Sequence, residues 1–132
     1  MKRLLLPLLL LISTFTGFAQ VLSWNPYFVT ESTTTFTITV DGSKGNQELF
    51  FYTPVTDIYV HIGVITSAST NQSDWKYSKF NWGVADAASR ATSLGNSKWS
   101  YTITGGFRNY FGITNPAEKI EKIAILFRNG NG

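Results

Sequence analysis

The run Ile58-Tyr59-Val60-His61-Ile62-Gly63-Val64-Ile65 alternates between two kinds of side chain, and nothing else in the chain limits the fold as tightly. A period of two belongs to a β-strand with one face in a core. Ile58, Val60, Ile62 and Val64 are therefore predicted inward, and Tyr59, His61 and Gly63 outward. The same period recurs along the sequence. Residues 35–40 set Phe36, Ile38 and Val40 against three threonines, residues 98–104 put Trp99, Tyr101 and Ile103 on one face, and residues 121–128 do the same with Ile123, Ile125 and Phe127. Residues 49–52 read as a short aromatic strand stopped by Pro54. Residues 75–82 read as a strand with a bend, since the apolar parity switches between Tyr77 and Phe80.

Turn residues separate these runs: Asp41-Gly42-Ser43-Lys44-Gly45-Asn46, Gly95-Asn96 and Gly105-Gly106. The Ala- and Ser-rich residues 84–94 hold at most one helical turn, and Phe107-Arg108-Asn109-Tyr110-Phe111 is a second single turn whose aromatics cap the core. Six to seven short strands at this spacing predict an all-β protein, an antiparallel sandwich of two sheets. A strand such as 35–40 would, at an edge, be long enough to pair with a neighbouring chain.

The first nineteen residues follow another rule. Met1-Lys2-Arg3 is a short positive start, residues 4–12 are apolar except for Pro7, and Gly17-Phe18-Ala19 supplies the small residues that a signal peptidase reads. We expect a signal peptide over 1–19 and cleavage after Ala19. The apolar run is too short to span a membrane, and the absence of cysteine excludes a lipid-attached signal. The product is expected outside the cytoplasm: in the periplasm, at the cell surface or released.

Removing nineteen of 132 residues leaves 113, enough for one core. Residues 20–34 form a lead-in segment broken at Asn25-Pro26, and residues 35–132 form the sandwich. Two of the eleven Lys and Arg leave with the signal, so nine face eight Asp and Glu. That near-neutral balance, without a basic run, argues against a nucleic-acid partner. With no cysteine, the domain relies on packing and not on disulfides.

Catalytic patterns are missing. No cysteine nucleophile and no G-x-S-x-G elbow occurs, the single histidine has no adjacent acid or serine, and the eight carboxylates are scattered. Asp57 and Asp74 read as loop boundaries. One histidine makes no zinc site, and Asp41-Gly42-Ser43 lacks the acidic density of a calcium loop. We therefore expect no enzyme activity, no metal and no cofactor.

The chain is instead rich in aromatics, at 15%. Tyr59 and His61, two apart on an outward face, are expected roughly 7 Å from each other. A flat ring beside a ring with polar edges suits a sugar, whose C–H face stacks while its hydroxyls bond the edge. Trp75 or Trp82 would supply a second platform at an angle, which fits a curved α-glucan better than a flat cellulose chain.

These residues carry a resemblance. Residues 58–66, then Asp74-Trp75-Lys76-Tyr77 and Trp82-Gly83, resemble the immunoglobulin-like starch-binding modules of secreted bacterial amylases and related starch-utilisation proteins. Ser93-Leu94-Gly95-Asn96-Ser97-Lys98-Trp99, Tyr101-Thr102-Ile103 and residues 122–129 agree with it. The resemblance runs from about Thr35 to the C-terminus. It implies an immunoglobulin-like sandwich that binds α-glucan (starch or maltooligosaccharide) without catalysis and holds it near a glycoside hydrolase. Carried over by position, the contacts are Tyr59, His61 and Trp75, followed by Trp82 and Asn129. The resemblance also implies a further segment and a downstream catalytic domain beyond Gly132. A second reading stays open, in which the domain is a structural immunoglobulin-like spacer or protein-interaction module whose tryptophans are core. The two differ in whether Tyr59, His61 and Trp75 stand together at the surface.

Overall fold

The strongest alternating runs become strands, and the strands sort into two antiparallel sheets. The computed structural model describes residues 20–132; the signal peptide expected over 1–19 lies outside the described residues. In chain order the elements are β1 (Leu22–Asn25), β2 (Thr35–Asp41), β3 (Ile58–Thr66), β4 (Thr92–Gly95), β5 (Lys98–Thr104), α1 (Phe107–Phe111) and β6 (Ile120–Asn129), with a 3-10 turn at Ala87–Ser89. One sheet runs β1-β2-β5-β4, and the other is the pair β3-β6. The protein is all-β. No helix among the described residues is long and apolar enough to cross a membrane.

The inward half of the β3 alternation resolves as its side chains dictate, whereas of the residues expected outward only His61 is partly exposed, Tyr59 and Gly63 being covered. Ile58, Val60, Ile62 and Val64 are all 0% exposed, and each such burial is worth about 1.5–3 kcal/mol over leaving the side chain in water. Val60, Ile62 and Val64 share a cluster with Phe36 and Ile38 of β2 and Tyr101 and Ile103 of β5, while Ile58 joins Val40, Ala91 and Trp99 in a second. The opposite face of β2 and β5 carries threonines, with Thr37 Oγ1 2.9 Å from Thr102 Oγ1 across the strands. As expected, α1 closes one end: Phe107 and Phe111 are buried, Phe107 lies edge-on to Phe36, and Gly112 ends the helix in the left-handed region.

Several local expectations give way to tertiary structure. Residues 49–52 are a succession of turns and not a strand: Phe50 N–H donates to Gln47 O, Tyr52 N–H to Leu49 O, and Gln47 and Phe51 sit at positive φ. Residues 75–82 form no strand either. They make one bridge, Val64 to Lys76, before Tyr77 turns into the left-handed region. Residues 22–25, read as part of a lead-in, form a four-residue strand against β2. That pairing makes β2 interior, so the sheet's edges are β1 and β4, not the run 35–40.

The two sheets differ in width, and the mismatch leaves one side open. β6 pairs only with β3, and its inner residues Ile123, Ile125 and Phe127 are half-buried. Trp24 lies opposite Ile38, on the inner side of β1, yet stays 45% exposed. Between them runs an apolar groove of about 590 Å3.

Candidate functional site

The outer face of β3 and β6 is built from pairs fixed by register: Tyr59 opposite Arg128, His61 opposite Leu126, Gly63 opposite Ala124. The chain from Asp74 to Val84 crosses beside this face. Its backbone docks on β3, since Val64 N–H donates to Lys76 O, Lys76 N–H to Val64 O, and Lys79 N–H to Ile62 O. Gly63 permits that approach. A Cβ there would lie 3.0 Å from Lys76 O and 3.3 Å from Ser78 Oγ. Gly63→Ala is expected to push the segment off the strand at a cost of about 1–3 kcal/mol. A lowered thermal midpoint, with altered tryptophan fluorescence, is the check; an unchanged protein would mean that the contact yields freely.

Polar clamps hold the crossing segment at both sides of Trp75. Asp74 accepts from Thr70 N–H and Oγ1 and pairs with Lys76 at 3.0 Å. Beyond it, Tyr77 Oη donates to Glu118 Oε2 at 2.7 Å, and Thr66 Oγ1 donates to Glu118 Oε1 at 2.5 Å. Arg108 braces the same corner through the carbonyls of Glu118 and Asn115. The hydrogen bonds from Thr66 and then Tyr77 hold the Glu118 carboxyl below the usual carboxylate range, and those around Asp74, led by the Thr70 N–H, do the same there. A lowered folded value means that the ionised form supports the fold. This stability is complete above the ordinary carboxylate range and is lost as pH falls from there through the lowered folded values. The thermal midpoint is accordingly expected to drop below about pH 4, and Glu118→Gln should flatten part of that drop. A midpoint indifferent to acid would count against the clamps.

The aromatics converge on this scaffold. The rings of His61 and Trp75 lie near-parallel and offset, 5.7 Å apart and 19° between planes. Trp82 meets His61 edge-on at 5.3 Å and 85°. The three form a corner with one wall of His61 and Trp75 and a steep second wall of Trp82, which is 55% exposed. His61 Nδ1 is enclosed and has no hydrogen-bond partner. The His61 side chain as a whole is half-buried.

Chain comparison adds no family to this geometry: the sequence matches no protein-family model and no curated protein.

The residues singled out in the sequence fare differently. His61, Trp75 and Trp82 stand together. Tyr59 shares their face but is only 4% exposed, covered by Arg90 and Arg128, whose guanidinium carbons lie 5.5 and 5.8 Å from its ring centre. Arg90 Nη2 also donates to Tyr59 Oη at 3.1 Å. Asn129 pairs with Ile58 and so belongs to the opposite parity, and its Oδ1 accepts from Asn131 N–H and Gly132 N–H.

Arg128 was not legible as a site residue. It is 5% exposed, donates to Asn129 O and Val84 O, and lies 5.6 Å from the Trp82 ring. By holding Val84 and facing Trp82, it braces the second wall of the corner. Its only signal is register, which puts it across from Tyr59. Among the described residues no group of three metal-ligating side chains occurs.

Proposed function

We propose that this chain binds an α-glucan without acting on it, at the corner formed by His61, Trp75 and Trp82. The observation that carries the reading is the angle. Two indoles, one aligned with His61 and one at 85° to it, suit a chain whose successive sugar faces turn, whereas a flat β-linked chain would be served by coplanar platforms. Stacking on Trp75 and Trp82 would supply most of the affinity, and His61 Nε2 would bond a hydroxyl. Tyr59 takes part through Arg90 and Arg128 and not by touching sugar.

The remaining elements of the reading rest on the sequence. The two stacked sheets are read as an immunoglobulin-like sandwich of the kind found in starch-binding modules. The leader-like residues 1–19 support export, and the resemblance supports a catalytic domain elsewhere in the same protein. Asp74 and Glu118, the carboxylates beside the corner, are both engaged in structural hydrogen bonds and held ionised, which leaves neither suited to deliver a proton. Of the three residues whose joint exposure separates the two readings, Tyr59 is buried, so the spacer reading is disfavoured only by the partly exposed Trp75 stacked on His61, with Trp82 beside them. A shallow corner of this kind gives affinities between about 1 mM and 1 μM.

The test is affinity electrophoresis of residues 20–132 through gels with and without soluble starch. Starch should retard the protein, maltoheptaose in the gel should release it, and cello-oligosaccharide should not. Unretarded migration of the folded domain would overturn the reading, and equal release by both oligosaccharides would overturn its α-glucan part.

A further inference from the structure

A second concavity begins where the corner ends. Trp82, Leu126 and Arg128 line a cleft of about 470 Å3 that wraps over the free edge of β6 to a facing wall from the turn after β2, where Lys44, Asn46 and Glu48 stand. Its volume falls in the range of small-molecule sites. Two of its residues belong to the corner as well: Trp82 is the steep wall, and Leu126 lies beside His61 in register and is 48% exposed. A ligand on His61 and Trp75 that continues past Trp82 enters this cleft.

From this continuity we infer that the site recognises a stretch of glucan chain extending over Trp82 into the β6 cleft, and not an isolated sugar or chain end. The inference rests on the glycan reading above and adds the length of ligand that the site requires. Three observations carry it. First, the facing wall is polar in the way a sugar needs, with an ammonium, a carboxamide and a carboxylate. Neither Lys44 nor Glu48 is in a salt bridge among the described residues, so both charges remain available to hydroxyls. Second, the wall is fixed before any ligand arrives. Asp41 accepts from Ser43 N–H and Oγ and pairs with Lys98, and Lys44 N–H and Gln47 N–H close successive turns. Third, β6 is an edge strand there, so its outward backbone N–H and C=O groups are additional partners for hydroxyls. The larger groove beside Trp24 is a poorer continuation, because Trp82 does not line it, its lining is more apolar and its Glu31 is already held by Arg108 and Ile120 N–H.

The experiment is calorimetric titration of residues 20–132 with the linear series maltotriose to maltoheptaose, on the wild type, the Lys44→Ala/Glu48→Ala double variant and Trp75→Ala. Wild-type affinity should rise about tenfold along the series. The double variant should bind maltotriose as the wild type does but lose that rise, and Asn46→Ala should show a smaller loss of the same kind. These side chains belong to an exposed turn, and an unchanged thermal midpoint will show that the variants are folded; should the double variant fail to fold, Asn46→Ala decides. Maltotriose binding with no gain from length, or a gain that survives the substitutions, overturns the extension and leaves the corner in place. Wild type that binds no member of the series overturns both.

Discussion

Trp75→Ala is expected to abolish retardation in the starch gel while leaving the domain folded. Trp75 is partly exposed and held from outside by Asp74, Lys76 and Tyr77, so few core contacts leave with its ring. What leaves is the aligned half of the corner, the platform parallel to His61. Loss of a central aromatic anchor costs at least about 2 kcal/mol of binding, roughly thirtyfold in affinity, which moves a weak binder out of the range that a gel detects. His61→Ala should have a smaller effect, since a single hydrogen bond nets about 1 kcal/mol. The measurement is mobility against starch concentration, read beside a melting curve. If Trp75→Ala migrates like the wild type in starch, the corner is not the binding site.

Trp99→Ala is expected to unfold the protein at moderate temperature. Trp99 is 1% exposed, sits among Val40, Ile58 and Ala91, and donates its Nε1–H to Val55 O at 2.7 Å. Truncating such a side chain costs about 3–5 kcal/mol, against a total of about 5–15 kcal/mol for a domain. At roughly 4 °C or more per kcal/mol, the thermal midpoint should fall by at least about 12 °C. Trp99→Phe should cost less, since much of the volume stays and chiefly the bond to Val55 is lost. A midpoint within a few degrees of the wild type for Trp99→Ala would contradict the assignment of Trp99 to the core.

The tryptophans show how much was legible in the sequence. Trp99 shares a strict alternation with Tyr101 and Ile103, and its burial follows directly from that phase. His61 faces outward for the same reason. Trp24 also obeys phase, opposite Ile38, yet it stays exposed because the β3-β6 sheet is too narrow to reach it, and sheet width is not a property of any one strand. Trp75 and Trp82 lie in a segment without regular alternation, so no phase assigns them a direction. Their meeting with His61 depends on Gly63 admitting the backbone and on Arg128 holding Val84. Tyr59 has the parity of His61, but two arginines cover it, one from the 3-10 turn region and one from β6, and both are distant in sequence. Residues 49–52 have strand-like composition but are drawn into turns beneath Trp99 and Ser97, where Phe51 N–H donates to Ser97 Oγ.

The narrow sheet has a dynamic consequence. β3 carries His61 and docks the Trp75 segment, while β6 carries the arginine that braces Trp82, so a ligand bridging the two tryptophans spans both strands of a two-stranded unit. Such a ligand would act as a buckle against local opening. Amide exchange along β3 and β6 should slow when glucan is bound, while exchange in β4, at the edge of the other sheet and outside the cleft lining, continues at its own pace.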